Sequence, residues 1–242
     1  KFDVIHICDD LFTLDRRWLY KFLEQYKSEI KKPFMCTTRS NLCDDELFKK
    51  LKQGGCYKVH MSLESCNDFI RNKIMNRNIS KERVIKSFNL ASKYGIKVSA
   101  SSIIGVPFET EEMIRETISF LGLLRIESPG VNIFYPYKGT EWREVCEKYG
   151  MMRSDRKYNT QERRESVLNL PHISKARLQY YYDNFEYLVR KEEGILSYVK
   201  FRIVRMVAKI VKKLLPKGMQ NLLRRIGQKK IIDEGVFSYL DS

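Results

Sequence analysis

Two periods of apolar and polar residues alternate along the first 150 positions. Five short apolar runs, Phe2–Cys8, Phe34–Thr38, Tyr57–Leu63, Ile96–Ile104 and Val131–Tyr135, each end in a polar or glycine-bearing cluster. Runs of this length bounded by polar residues predict strands. The intervening stretches carry apolar residues three or four apart. Asp15–Ile30 places Trp18, Leu19, Phe22, Leu23 and Tyr26 at helical spacing, with acids and lysines between them. Asp44–Gln53 predicts a short helix with Asp44 or Asp45 as cap, ended by Gly54-Gly55. Ser80–Tyr94 keeps Val84, Ile85, Phe88 and Leu90 on one side and stops at Gly95. Thr110–Leu124 and Gly139–Tyr149 predict two more helices.

Strand starts near 2, 34, 57, 96 and 131 lie 32, 23, 39 and 35 residues apart. Such intervals suit strand–helix units with parallel crossovers. Residues just past the C-termini of parallel strands collect at one mouth, where a barrel of such units places its site. Asp9 and Asp10, Arg39, Glu64 and the Gly105 turn, all following strand ends, are therefore expected on one rim.

From Met151 the pattern changes. Ser154–Arg164 is polar and predicts an exposed linker, and Ser174–Arg190 a tyrosine-rich helix. Leu196, Val199, Ile203, Val207, Ile210 and Leu214 then repeat at three or four residues, with Arg202, Arg205, Lys209 and Lys213 on the other side. This is a basic amphipathic helix, ended by Pro216 and Gly218 and followed by a short basic helix, Met219–Ile226. No strand signal appears, so 151–242 is expected as a helical appendage to a barrel at 1–150.

Charge sharpens that division. The formal net charge is +15. Between Arg190 and Lys230, thirteen Lys or Arg face only Glu192 and Glu193, a net of +11, which leaves +4 for the rest. Hydrophobic content of 43% and aromatic content of 12% fit a chain with a real core. Six cysteines show no close zinc or redox spacing and are expected as buried free thiols in a reducing compartment. No apolar run approaches about 18 residues, so no spanning helix is expected. The chain opens at Lys1 and enters a strand almost at once, which reads as an N-terminal truncation.

In order along the chain stand Ile7-Cys8-Asp9-Asp10-Leu11-Phe12, Thr38-Arg39-Ser40-Asn41, Leu51-Lys52-Gln53-Gly54-Gly55-Cys56 and Ser62-Leu63-Glu64-Ser65. Met75-Asn76-Arg77, Ile104-Gly105-Val106-Pro107-Phe108-Glu109-Thr110 and Tyr135-Pro136-Tyr137-Lys138-Gly139-Thr140 follow. Together, over roughly residues 1–150, these resemble the middle and end of a radical S-adenosylmethionine domain, of the group often paired with a cobalamin-binding domain. The resemblance implies a partial parallel (β/α) barrel of TIM-barrel type. It implies a 4Fe-4S cluster that cleaves S-adenosylmethionine to a 5′-deoxyadenosyl radical, and a reductant partner such as flavodoxin or ferredoxin. It implies that Asp9 and Asp10 meet the cofactor ammonium, that Glu64 contacts the ribose or methionine part, and that Arg77 pairs with the carboxylate. Ile103, Ile104 and Gly105 would flank adenine, and Arg39 would face cofactor or substrate. The cluster signature Cys-x3-Cys-x2-Cys is absent from this sequence and is expected upstream. Ser62, Phe108 and Lys138 stand where the family often has glycine, glycine and proline.

Other readings stay open at this level. Asp10 can merely cap the turn at Leu11, and Glu64 and Arg77 can be ordinary surface charges. The basic tail (195–226) can dock on the barrel, lie on an anionic membrane surface, or track nucleic-acid phosphates, the least favoured of the three. An inert barrel working through that tail is the alternative to an enzyme. A metal-assisted aldolase using Asp9, Asp10, Glu64 and His60 is a third, disfavoured by the scarcity of histidine (His6, His60 and His172). A cytoplasmic protein, peripheral to the inner membrane surface if the tail binds lipid, is the expected setting. Cobalamin enters as a further cofactor only through the resemblance, since its domain would lie upstream.

Overall fold

Strand ends decide where the charged residues go. In a computed structural model describing residues 3–154 and 163–214, five strands form one all-parallel sheet in the order β1-β2-β3-β4-β5. They are β1 (Ile5–His6), β2 (Phe34–Thr38), β3 (Cys56–Glu64), β4 (Lys97–Ile104) and β5 (Ser128–Ile133). Helices α1 (Arg16–Glu29), α2 (Asp45–Gln53), α3 (Lys81–Lys93) and α4 (Glu111–Leu124) make the crossovers, and α5 (Glu141–Lys148), α6 (Lys175–Glu192) and α7 (Ile195–Leu214) follow. The curled sheet with its helices on one face is a partial TIM-type barrel, as expected.

Caps explain why the helix starts were legible. Asp15, Asp44, Ser80 and Thr110 each accept backbone N–H groups of the first turn of α1, α2, α3 and α4. Two strand ends differ from expectation. The first pairs with β2 only at Ile5 and His6, although Ile7 N–H still donates to Met35 O at 2.9 Å. The last begins at Ser128, because Pro129 and Gly130 tolerate an edge with no further strand beside it among the described residues.

Period-two burial divides the sheet into two faces. Val59, Met61 and Leu63 of β3 and Val98, Ala100 and Ile104 of β4 point into the helix layer and are buried. Fully burying such a side chain is worth about 1.5–3 kcal/mol. Phe12 closes one end of this core, edge-on to Trp18 at 5.6 Å and to Phe22 at 5.4 Å.

The core runs across position 150. Ile173, Leu178, Tyr181, Phe185 and Val189 belong to the same apolar cluster as the strands, so α6 covers α4 and β5 instead of standing apart. Contact is close at Gly122 of α4, where a β-carbon would lie 2.5 Å from Glu192 Cβ. Arg190 fastens the far end of α6 by donating to the carbonyls of Ile126 (2.8 Å) and Glu127 (2.6 Å). Two further features depart from the helical expectation after Met151. Met152 and Leu168 form an antiparallel bridge, and Tyr135, Cys146, Met151, Val167 and Leu168 make a second small core. Residues 155–162 of the expected linker, the helix stop at Pro216 and Gly218, and the helix Met219–Ile226 lie outside the described residues.

Candidate functional site

Glu64 is the centre of the rim. The register of β3 against β4 slips between Ser62 and Glu64, and this bulge leaves Glu64 at φ +65°, a left-handed conformation costly for a side-chain-bearing residue. Its neighbours over-determine that conformation. Past Glu64, Cys66 N–H donates to Thr117 Oγ1 at 2.9 Å. Arg71, 1% exposed, donates to the carbonyls of Ser65 (3.1 Å) and Cys66 (2.8 Å) and pairs with Asp68. The same guanidinium reaches Ile79 O at 2.8 Å. Arg71 thus binds both ends of the segment that carries Arg77, and Arg77 N–H itself donates to Arg71 O at 3.1 Å.

The result brings two expected residues into contact. Arg77 Nη2 donates to Glu64 Oε1 in an ion pair. Glu64 is 4% exposed, and burial raises its pKa above the usual carboxylate value despite the opposing charges of Arg77, Arg163 and Arg39. Three arginines therefore act on one buried carboxylate. Arg77 Nε is buried and has no hydrogen-bond partner among the described residues. Arg39, half-buried at the end of β2, accepts Leu42 N–H at its carbonyl at 2.9 Å.

Other expected residues arrive differently. Asp9, Asp10 and Cys8 are exposed past β1, at the same sheet end as Glu64 but two strands away. The alternative reading of a mere cap falls on Asp9 instead of Asp10: Asp9 Oδ1 accepts Leu11 N–H at 3.0 Å. Ile103 joins Met75, Val106 and Phe134 in a small apolar cluster at the mouth. Ile104 turns its side chain into the main core, leaving only its backbone to the rim, where its carbonyl accepts Phe134 N–H at 2.8 Å. Gly105, at φ +74°, is also required by packing: a β-carbon there would meet Leu178 Cδ2 at 2.6 Å.

Sequence reasoning missed three members. Glu109 is 1% exposed and accepts from the N–H groups of Gly105 (2.6 Å) and Val106 (3.3 Å). Its Oε1 is buried without a partner, and burial pushes its pKa up to about 8. Its place four residues after the turn glycine was the available signal. Arg163 lay in a polar stretch that carried none, yet its carbonyl accepts Ile133 N–H (2.9 Å) and its Nε donates to Tyr137 OH (2.7 Å). Arg71 looked like one more surface cation.

These residues suit a sulfonium amino acid nucleoside better than a metal cluster. A buried carboxylate, an arginine with an unpartnered buried Nε and an apolar Ile103 patch supply acceptor, donor and flat surface. Among the described residues, no group of three or more His, Cys, Asp or Glu is placed to hold a metal ion. Five of the six cysteines are buried free thiols, and burial pushes Cys43 and Cys146 up to about 11. They do not fit as thiolate ligands of an iron–sulfur cluster.

A parallel half-barrel with charged residues gathered past its strand C-termini has the build of a barrel enzyme that works at its rim. Residues 4–121 match the Radical SAM superfamily. An uncharacterized methyltransferase of Pyrococcus horikoshii is 28% identical over 177 residues, 72% of this chain and 38% of that protein. The chain thus spans under two fifths of that relative. Among solved structures, the radical S-adenosylmethionine methyltransferase TsrM of Kitasatospora setae, with cobalamin and a [4Fe-4S] cluster bound, superposes at TM-score 0.54 with 16% identity. That match covers 74% of this chain and 37% of TsrM. Coproporphyrinogen III oxidase of Escherichia coli gives TM-score 0.58 and 13% identity over 78% of this chain and 41% of that one. The cobalamin-dependent radical enzyme OxsB gives 0.56 and 13% over 95% and 39%, a likeness that continues past the barrel.

Proposed function

We propose that this chain is the cofactor-gripping half-barrel of a radical S-adenosylmethionine enzyme. Methyl transfer is the reaction class suggested by the name of the Pyrococcus relative. The observation that carries the reading is the buried Glu64 in a left-handed conformation, under the charges of Arg77, Arg39 and Arg163. In this family a reduced 4Fe-4S cluster supplies the electron that cleaves the sulfonium to a 5′-deoxyadenosyl radical; its ligands would come from outside the residues described.

This chain's own groups hold and orient the cofactor. Glu64 accepts from the ribose hydroxyls or the ammonium, and Arg77 turns its unpartnered Nε to the carboxylate. Asp9 and Asp10 offer acceptors to the ammonium from the neighbouring strand end, Arg39 faces cofactor or substrate, and Ile103 with the Ile104–Gly105 backbone lies along adenine. Cobalamin enters only through TsrM and OxsB. The test is equilibrium binding of S-adenosylmethionine to the anaerobic full-length protein. Glu64→Gln and Arg77→Gln should each weaken it about 10- to 100-fold, the loss of one charge-assisted bond. Unchanged affinity in both overturns the assignment.

A peripheral membrane role for the tail is supported by α7. Leu196, Val199, Ile203, Met206 and Val207 are exposed there, at 84% for Leu196, beside Lys200, Arg202 and Arg205. Among the α7 residues at 195–207, only Phe201 is buried, and Tyr198 packs edge-on to Tyr187 of α6 at 5.4 Å. No described helix is long and apolar enough to cross a membrane. The full chain should sediment with vesicles containing phosphatidylserine, and a chain ending at Glu193 should not; equal binding by both sinks this reading.

A further inference from the structure

The concave face of the sheet is polar where a closed barrel would be packed. Barrels of this type normally fill their interior with layers of Val, Ile and Leu. Here the positions that alternate with the buried Val59, Met61 and Leu63 are Lys58, His60 and Ser62. Those that alternate with Val98 and Ala100 are Ser99 and Ser101. Gly130, the register partner of Ser101 on β5, is exposed and leaves the floor open above it.

These groups form one directed chain of hydrogen bonds. Ser99 Oγ lies 3.5 Å from Val59 O, a carbonyl that can only accept, so the Ser99 hydroxyl donates there. With the Ser99 proton so placed, His60 Nδ1, 3.2 Å from Ser99 Oγ, donates to that hydroxyl oxygen. Burial, with the nearby Lys58 and His6 charges, lowers the His60 pKa and keeps the ring neutral at pH 7. A neutral ring that donates from Nδ1 accepts at Nε2, here from the Ser101 hydroxyl at 3.2 Å. With its proton committed, Ser101 accepts from Ser62, 3.1 Å away. The proton order therefore runs outward from the strand backbone and ends at Ser62, two residues before Glu64. With its proton given to Ser101, Ser62 Oγ can only accept from a further group.

We propose that His60, Ser62, Ser99 and Ser101 form the substrate platform of this barrel, taking a polar substrate that presents an N–H or O–H donor to Ser62 Oγ. An aliphatic group, or one with acceptors only, leaves that oxygen desolvated and unpaired, the situation polar sites reject most strongly. The platform deepens the radical S-adenosylmethionine reading and rests on it only for the word substrate; the hydrogen-bond order is a property of this chain.

A matched pair of probes tests it on the full-length protein labelled with 15N in its histidine rings. 2-Pyrrolidinone carries one N–H, and N-methyl-2-pyrrolidinone is the same ring without it. At pH 7 the His60 ring shifts should report the neutral Nδ1–H tautomer. Saturable movement of those shifts is expected with 2-pyrrolidinone, and binding at least about tenfold weaker with its N-methyl analogue. Ser62→Ala should abolish the preference while leaving S-adenosylmethionine affinity within about twofold. The opposite tautomer, equal binding of the two probes, no response at His60, or a preference that survives Ser62→Ala would each overturn the proposal. The tautomer and the probe pair are read on the unaltered protein, so a variant that fails to fold does not rescue it. Loss of S-adenosylmethionine binding by the unaltered protein would instead count against the enzyme reading and leave the platform measurements standing.

Discussion

Replacing Glu109 by glutamine isolates the most deeply buried carboxyl of the rim. The wild-type group is 1% exposed, holds two backbone N–H groups with Oε2, and leaves Oε1 buried without a partner. Desolvation outweighs those two bonds and pushes the pKa from 4.5 to about 8. The folded chain thus holds the proton more tightly than the unfolded chain. Its contribution is fully present below about 4.5 and is lost as pH climbs toward 8. At about 1.4 kcal/mol for each pH unit between the two values, the linkage is worth at most about 5 kcal/mol. Water reaching the turn at high pH would relieve part of it, so about 2–4 kcal/mol is expected between pH 5 and pH 8. Glutamine keeps an oxygen for the Gly105 and Val106 N–H groups and carries no charge at any pH. Urea titrations of both proteins at pH 5, 6.5 and 8 give the stability difference directly, and other titrating groups cancel between them. The two should match within about 1 kcal/mol at pH 5, with Glu109→Gln progressively the more stable above it. A difference flat to within about 0.5 kcal/mol across that range refutes the reasoning, since a carboxyl ionised normally inside the fold shows no such slope.

Three further predictions rest on the same rim. Arg71→Met removes the donors that hold the carbonyls of Ser65, Cys66 and Ile79. It should cost about 3–5 kcal/mol in urea unfolding, and a loss under about 1 kcal/mol would show that water replaces the guanidinium. Gly105→Ala should cost about 2–4 kcal/mol, combining the left-handed φ with the Leu178 clash. Adding Leu178→Ala should restore at least about 1 kcal/mol relative to additivity, and strict additivity would remove the clash from the account. Arg77→Gln should destabilise more than Glu64→Gln, because it strands a buried carboxylate while the reverse change leaves a cation that is 37% exposed. The double variant should be more stable than Arg77→Gln alone; the opposite order in thermal melts counts against the pair.

Much of the fold was legible because local chemistry and global architecture agree. Asp15, Asp44, Ser80 and Thr110 announce helices by capping them, and β2 ran from Phe34 to Thr38 as the apolar run did. Spacing alone put Glu64 and the Gly105 turn on one sheet end. What stayed hidden depended on contacts distant in sequence. Arg71 and Lys73 stand two apart in one short segment, yet Arg71 is buried because it meets carbonyls at 65, 66 and 79. Arg163 approaches Tyr137 across 26 residues. The helix α6 reads as an appendage in sequence because its tyrosines and charges dilute its apolar stripe, while its Leu178, Tyr181, Phe185 and Val189 enter the barrel core.

Local rules are broken mainly in one place. Among the described residues, six other than glycine have positive φ, and four of them, Glu64, Asn76, Asn78 and Phe108, lie on the segments that carry or flank Glu64, Arg77 and Gly105. The remaining two, Lys31 and Arg125, follow helix ends, where a left-handed residue is an ordinary stop. Asparagine tolerates that conformation cheaply, and Glu64 and Phe108 do not. A chain selected for stability alone would place glycine or asparagine at 64. The carboxylate is kept there at a cost of about 1–2 kcal/mol in backbone strain, with burial opposing its charge. That expense is directional, because the bulge is what aims residue 64 at Arg77 instead of along the ladder. The same bulge follows Ser62, the last hydroxyl of the His60 chain. One irregularity in β3 therefore sets both the carboxylate that would grip a cofactor and the acceptor that would meet a substrate, so a change that straightens the strand should disturb the two together.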